Sequence, residues 1–199
     1  MDREAILLPH LQYLILRDTP LTSLPPEIGR LTALKRLDLR RTHLTTLPPE
    51  IGQFTHLEFL DISGTKLTEL PSEIGQLTAL QELNVKEMPL TALPPEIGQL
   101  TELKSLNLAR TQVTRFPLEM GNLSSLESMS INGVLLAFPP PEITSQGLAF
   151  TLAYLRDYEA MLMRQTLAGI ASGVGAIAGL ILAFRWRQRR GWGEKKKRL

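Results

Sequence analysis

Five glutamates, Glu27, Glu50, Glu73, Glu96 and Glu119, recur at a fixed interval of 23 residues, and three histidines, His10, His43 and His56, stand among them. Carboxylates brought together in pairs can do general acid–base work, and histidines clustered with carboxylates or cysteines can hold a metal ion. Neither chemistry is expected here. A catalytic carboxylate pair needs a pocket and two differently tuned environments, whereas these glutamates share one repeated environment. Each follows a proline at the start of a helical turn, where a carboxylate complements the positive end of the helix dipole. The histidines fall in different repeats with no second ligand at metal spacing. With no cysteine in the chain, thiol nucleophiles, zinc–thiolate sites and disulfides are excluded. The sequence carries no phosphate-binding loop, nucleophile elbow or kinase signature. It therefore predicts no enzyme, no catalytic residue, no metal and no cofactor.

The interval that spaces the glutamates governs the whole chain. Leu11, Leu34, Leu57, Leu80, Leu103 and Leu126 form one column 23 residues apart. Leu14, Leu37, Leu60, Leu83, Leu106 and Met129 form a second, and Leu16, Leu39, Ile62, Val85, Leu108 and Ile131 a third. A fourth holds Leu21, Leu44, Leu67, Leu90, Val113 and Leu136, and the first five of these lead into LPPEIG-like segments. Leu37 and Leu39 are two apart, so both leave the same face of a short strand. Pro48 ends the ladder and holds Leu47 extended, and Pro49 can open a helical turn without losing a hydrogen bond. Ile51 and Phe54, three apart, then point back to the interior. One such unit cannot bury its apolar side, but a stack can.

The pattern LxxLxLxxTxLxxLPxEIGxLTxL resembles the leucine-rich-repeat family, in the LPxxI variety of intracellular repeat proteins. Similar arrays occur in Ras-group and Ras-scaffold repeat proteins, plant nucleotide-binding immune receptors and bacterial Roco-type proteins. The resemblance covers about residues 1–155 and implies an α/β solenoid, with a parallel sheet lining a concave face and short helices on the convex side. It also implies protein partners. In this family an asparagine usually follows the strand and bonds the loop of the next coil; here that column reads Thr19, Thr42, Thr65, Met88, Thr111 and Val134. A threonine hydroxyl serves part of that role, and Met88 and Val134 cannot. Looser loops at those two coils and plain apolar packing are equally open.

Residues flanking the inward leucines point into the concavity. Tyr13, Ile15 and Arg17, then Arg36, Asp38 and Arg40, then Phe59, Asp61 and Ser63 come from the first three strands; the last two coils offer Ser105, Asn107, Ala109, Ser128, Ser130 and Asn132. Aromatic and arginine side chains are enriched at interaction hot spots. The expected protein-binding footprint is therefore Tyr13, Arg17, Arg36, Asp38, Arg40, Phe59 and Asp61, centred on Arg36, Arg40 and Phe59.

Five segments are expected: a partial repeat over 1–10, repeats over 11–147, a capping helix over 148–164, a transmembrane helix over 165–184 and a basic tail over 185–199. At the front, Glu4 stands 23 residues before Glu27 and Leu8 before Leu31. Residues 2–8 then either shield the first coil or continue a longer array. Asp2 and Glu4 are acidic where a secretory signal is basic. At the back, Phe138 follows Phe116 by 22 residues, and FPPPEITSQGLAFTLAYLRDY looks like the closing element of bacterial-type arrays, where PPPEI and QG precede a final helix. Its Leu148, Leu152, Leu155 and Leu162 keep helical spacing and are expected to cover the end of the core.

Between Arg164 and Arg185 lie 20 uncharged residues, QTLAGIASGVGAIAGLILAF, which as a helix would span about 30 Å, the thickness of a bilayer core. Ala171, Gly175, Gly179 and Ala183 recur every four residues, a spacing that lets a second helix approach and predicts a homodimer through this face. Trp186, Trp192 and eight cations follow, so the tail suits a lipid interface. Residues 1–165 hold 14 Lys/Arg against 19 Asp/Glu and residues 166–199 hold eight against one, so the basic character belongs to the tail, and no nucleic-acid partner is expected. The positive-inside tendency and the sequon Asn122-Leu123-Ser124 favour exported repeats. The absence of a signal, the lack of cysteine and the repeat type favour cytosolic ones, the expected arrangement. The function expected is a membrane-anchored interaction module, plausible as a signalling or immune scaffold. Two alternatives stand beside it: a piece of a larger Roco-type or immune-receptor protein, and a membrane-active oligomer built on the glycine-rich helix.

Overall fold

The computed structural model describes residues 10–171. Six three-residue strands, β1 (Tyr13–Ile15), β2 (Arg36–Asp38), β3 (Phe59–Asp61), β4 (Glu82–Asn84), β5 (Ser105–Asn107) and β6 (Ser128–Ser130), pair in sequence order in one parallel sheet. The register repeats the sequence period, with Leu14 beside Leu37, Leu37 beside Leu60 and Leu60 beside Leu83. The strands are short because each ends in a turn that sends the chain toward the next proline segment.

The helical turns expected after the prolines are five-residue 3-10 turns: Pro26–Arg30, Pro49–Gln53, Ser72–Gln76, Pro95–Gln99 and Leu118–Asn122. In the second, Ile51 N–H donates to Pro48 O at 3.0 Å and Phe54 N–H to Ile51 O at 3.2 Å. Too few residues lie between proline and the next leucine for a longer α-helical ladder, so the tighter three-residue bond closes each turn. Ile51, Phe54 and the leucines of the inner coils are fully buried in one continuous core.

Coils also touch through glycine. At Gly29, Gly52, Gly75 and Gly98 an added Cβ would strike the following coil's turn; at Gly75 it would lie 2.7 Å from Glu96 O, and at Gly98 it would overlap Glu119 O. This column sets how closely the convex turns stack.

The chain divides into two compact units, Met1–Arg156 and Asp157–Leu199. Within the first, the period slip is absorbed by a single bridge, Arg115 beside Phe138, with Phe116 N–H donating to Phe138 O at 2.9 Å. Helix α1 (Pro141–Thr144) and then Gly147, at φ 102°, turn the chain into helix α2 (Leu148–Ala171). Leu152 and Leu155 are buried in the solenoid core and Leu148 packs against it, as their spacing predicts. Arg156 completes the closure, its Nε and Nη2 donating to Gly121 O at 2.9 and 2.8 Å. A Cβ on Gly121 would meet Arg156 backbone N at 2.6 Å, so the cap lies where another coil's glutamate turn would otherwise stack.

In the second unit, α2 continues helical through residue 171, past the boundary expected at 164. Among the described residues no helix is long and apolar enough to cross a membrane. Most of the expected span (172–184, with Gly175, Gly179 and Ala183), the side chain of Ala171, the tail 185–199 and the flank 1–9 lie outside what the structure describes.

Candidate protein-binding face

Period-two alternation in each strand sends Leu14, Leu37, Leu60, Leu83 and Leu106 inward and leaves two rows of side chains on the sheet face. Tyr13 and Ile15 are 62% and 55% exposed, large apolar surface presented to solvent. Beside them the Arg36 guanidinium lies 3.6 Å above the centre of the Phe59 ring, which fixes both half-buried side chains in one stacked pair. These four residues are brought together by β1, β2 and β3, as the sequence predicts.

Asp38 and Asp61 depart from that expectation. They are only 2% and 4% exposed, and the carboxylates are engaged in the fold. Asp61 Oδ1 accepts from Ser63 N–H at 2.9 Å and Ser63 Oγ–H at 2.6 Å, while its Oδ2 accepts from Asn84 Nδ2 at 3.0 Å. Asp38 Oδ1 accepts from Arg40 N–H at 3.3 Å and lies 3.5 Å from Arg40 Nε. Asn84 and Asn107 do the same for Lys86 N–H and Ala109 N–H. The row Asp38, Asp61, Asn84, Asn107 therefore ties off each strand by capping the amide two residues on, a local turn that these side chains favour. Asp38 and Asp61 are removed from the expected contact set for this reason. Burial, with Asp61 alongside, holds the Asp38 carboxyl above the usual carboxylate range despite nearby Arg17 and Arg36.

Beyond the strands the backbone enters the left-handed region at one position per coil: Asp18, Arg41, Gly64, Glu87, Arg110 and Gly133, with φ between 54° and 77°. Only two of the six are glycine. The threonines that follow satisfy the turn: Thr19, Thr42, Thr65 and Thr111 donate their hydroxyls to the carbonyl three residues back at 2.7–2.9 Å. The coil carrying Met88 keeps the same left-handed turn at Glu87, and Met88 itself is buried in the core, so packing substitutes for the hydroxyl there.

Where the exit turns meet the sheet face, an open groove of about 270 Å³ is lined by Arg17, Asp18, Arg40, Arg41, Asp61, Ser63, Gly64, Asn84, Lys86 and Glu87. It extends one coil beyond the footprint expected from sequence. Of the expected footprint only Arg17, Arg40 and Asp61 line it; among the contributors outside that footprint, Lys86 was visible as the fourth member of the column Arg17, Arg40, Ser63, Lys86, but its neighbours on β4 lack aromatics. All three histidines are exposed, and among the described residues no group of three His, Cys, Asp or Glu is placed to hold a metal. His56 Nδ1 sits 3.2 Å from Thr32 O in an ordinary surface contact.

A solenoid of stacked coils with a sheet face of exposed aromatic and cationic side chains is the architecture of a repeat-type protein-interaction module. Residues 4–62 and 49–139 match the family model described as a leucine-rich repeat region. The chain belongs to the leucine-rich-repeat family. Its solved neighbours include a leucine-rich-repeat protein of Leptospira interrogans, at 36% identity over 67% of this chain and 34% of that one, with a TM-score of 0.64. The functional domain of InlJ from Listeria monocytogenes, which includes a cysteine ladder, is 27% identical over 62% of this chain and 25% of its own, TM-score 0.54. The ectodomain of the Arabidopsis thaliana membrane receptor kinase GASSHO1/SCHENGEN3, in complex with CASPARIAN STRIP INTEGRITY FACTOR 2, is 36% identical over 57% of this chain and 14% of its own, TM-score 0.52. The chain thus spans about a third or less of these proteins' lengths. No curated protein matches it.

Proposed function

We propose that this chain is a non-catalytic binding module whose sheet face, over the first coils, engages a protein partner while its C-terminal segment holds it at a membrane with the repeats on the cytosolic side. The observation that carries the binding surface is the exposure of Tyr13 and Ile15 next to the stacked Arg36–Phe59 pair. Large side chains held outward in fixed positions supply contact area at small cost in entropy. The later strands supply serines in the same register.

Support for the tether comes from the sequence: the uncharged run 165–184 between Arg164 and Arg185, followed by eight cations. A signalling or immune scaffold fits the repeat variety that the LPxEIG segments resemble, and the small residues Ala171, Gly175, Gly179 and Ala183 suit self-association within the bilayer.

Three measurements test these parts separately. Tyr13→Ala/Phe59→Ala should abolish capture of the partner by the full chain with the melting temperature nearly unchanged; retained capture overturns the face. Release from membranes by high salt without detergent overturns the span, and protection of the repeats from protease in sealed vesicles overturns the orientation. Gly175→Ile/Gly179→Ile should lose signal in a membrane two-hybrid assay, and an unchanged signal removes the dimer.

A further inference from the structure

The groove at the strand exits is where the face acquires chemical selectivity. Its acids are committed to partners within the fold. Asp18 lies 3.8 Å from Arg41, Glu87 is 3.3 Å from Arg110, and both oxygens of Asp61 accept hydrogen bonds from Ser63 and Asn84. Arg40 is held by Asp38 at 3.5 Å. Once these pairs are set aside, two cations of the groove form no ion pair among the described residues: Arg17, which acts on the buried Asp38 only through its field, and Lys86, at the opposite end of the groove. They belong to the first and fourth coils. With neighbouring strands about 4.8 Å apart, their backbones are separated by roughly 14 Å.

We infer that the groove receives an acidic, partly apolar segment of a protein partner, with one carboxylate on Arg17, another near Lys86, and an apolar side chain against Tyr13 and Ile15. The inference rests on the proposal that the sheet face binds protein. An extended chain rises about 3.3 Å per residue, so the two carboxylates belong about four residues apart. Tyr13 and Ile15 precede Arg17 on the same face of the same strand, which places the apolar contact next to the first carboxylate. Each charged contact forms at a partly open rim, where opposite charge steers the approach and selects among partners.

A polyphosphate fits less well. Nucleic acid carries a charge on every nucleotide, and such an unbroken row would also lie along Asp18, Asp61 and Glu87. Two isolated carboxylates meet the two unpaired cations and avoid those acids.

Selection of a random dodecapeptide phage library on the full-length chain tests this directly. Enriched peptides should carry paired Asp or Glu about four residues apart beside an apolar residue, and should compete with one another. In the charge-reversed Arg17→Glu/Lys86→Glu protein their affinity should fall about tenfold or more, with Lys- or Arg-containing peptides enriched instead. The Arg17→Gln/Lys86→Gln protein, checked by thermal melting, should show the loss without the reversal. Peptides lost on Tyr13→Ala/Phe59→Ala but lacking acidic enrichment would keep the binding face and overturn the acidic partner. Failure to enrich any peptide sensitive to either set of variants would overturn both. Tighter, equally Arg17- and Lys86-dependent binding of a 20-nucleotide poly(dT) strand would replace the protein segment with a polyanion.

Discussion

The first three coils and the last two share a backbone and differ in almost everything they show to solvent. β1, β2 and β3 carry Tyr13, Ile15, Arg36 and Phe59; β5 and β6 carry Ser105, Asn107, Ser128 and Ser130, in the same register. Their inward residues are nearly interchangeable, Leu37, Leu60 and Leu106 being buried in one core. The difference teaches that the repeat constrains half of each strand and frees the other half. Leucines are fixed because a coil's core is shared with its neighbours, whereas outward side chains such as Tyr13, Ile15 and Ser128 answer to solvent or to a partner, the Asp/Asn row that caps each strand being the exception.

Breaking the shared half should have the largest effect. Leu60→Ala removes a fully buried side chain between two coils and is expected to cost about 3–4 kcal/mol in urea unfolding. Gly98→Ala forces a methyl group into the Glu119 carbonyl and should cost about 2–3 kcal/mol, while the same urea titration on the exposed face variant Tyr13→Ala should shift stability by less than about 0.5 kcal/mol. A Gly98→Ala protein as stable as the parent would mean that the turns stack less tightly than described.

Smaller changes sharpen the boundary between the halves. Asp61→Ala, on the face but engaged in the fold, orphans Ser63 N–H and Asn84 and should cost about 1–2 kcal/mol by thermal melting, behaving as a core residue. Arg41→Gly relieves a left-handed non-glycine residue at φ 54° and should gain about 0.5 kcal/mol, since the long, exposed pair with Asp18 contributes little. Asp38→Asn should produce the smallest effect, and one that depends on pH. Because the native carboxyl sits above its unfolded value, the stability it contributes is complete below the ordinary carboxylate range and is lost as pH rises through the native pKa. The asparagine variant should therefore melt slightly higher at pH 7 and show no gain near pH 3; a gain only in acid would contradict the buried environment described.

Much of the fold was legible because the period was. Columns of leucine 23 apart placed every strand, and the LPxEIG segments placed every convex turn, although the turn type depended on how few residues separate proline from leucine. The cap was readable from Leu152 and Leu155. The binding face was half legible. Tyr13, Arg36 and Phe59 lie where alternation puts them, but Asp38 and Asp61, with the same alternation, are withdrawn by hydrogen bonds to amides two residues on and to Asn84 in the next coil. Nothing in a strand's own pattern reports a partner one coil away.

The sequence alone determined which apolar side chains are hidden, since their burial in a stack follows from spacing and hydrophobicity, both one-dimensional properties. Only the tertiary structure decided which charges remain unpaired, because a carboxylate is neutralised or freed by neighbours that lie 23 residues away along the chain and one strand away in space. That is how Arg17 and Lys86 came to stand apart from the other cations of the groove.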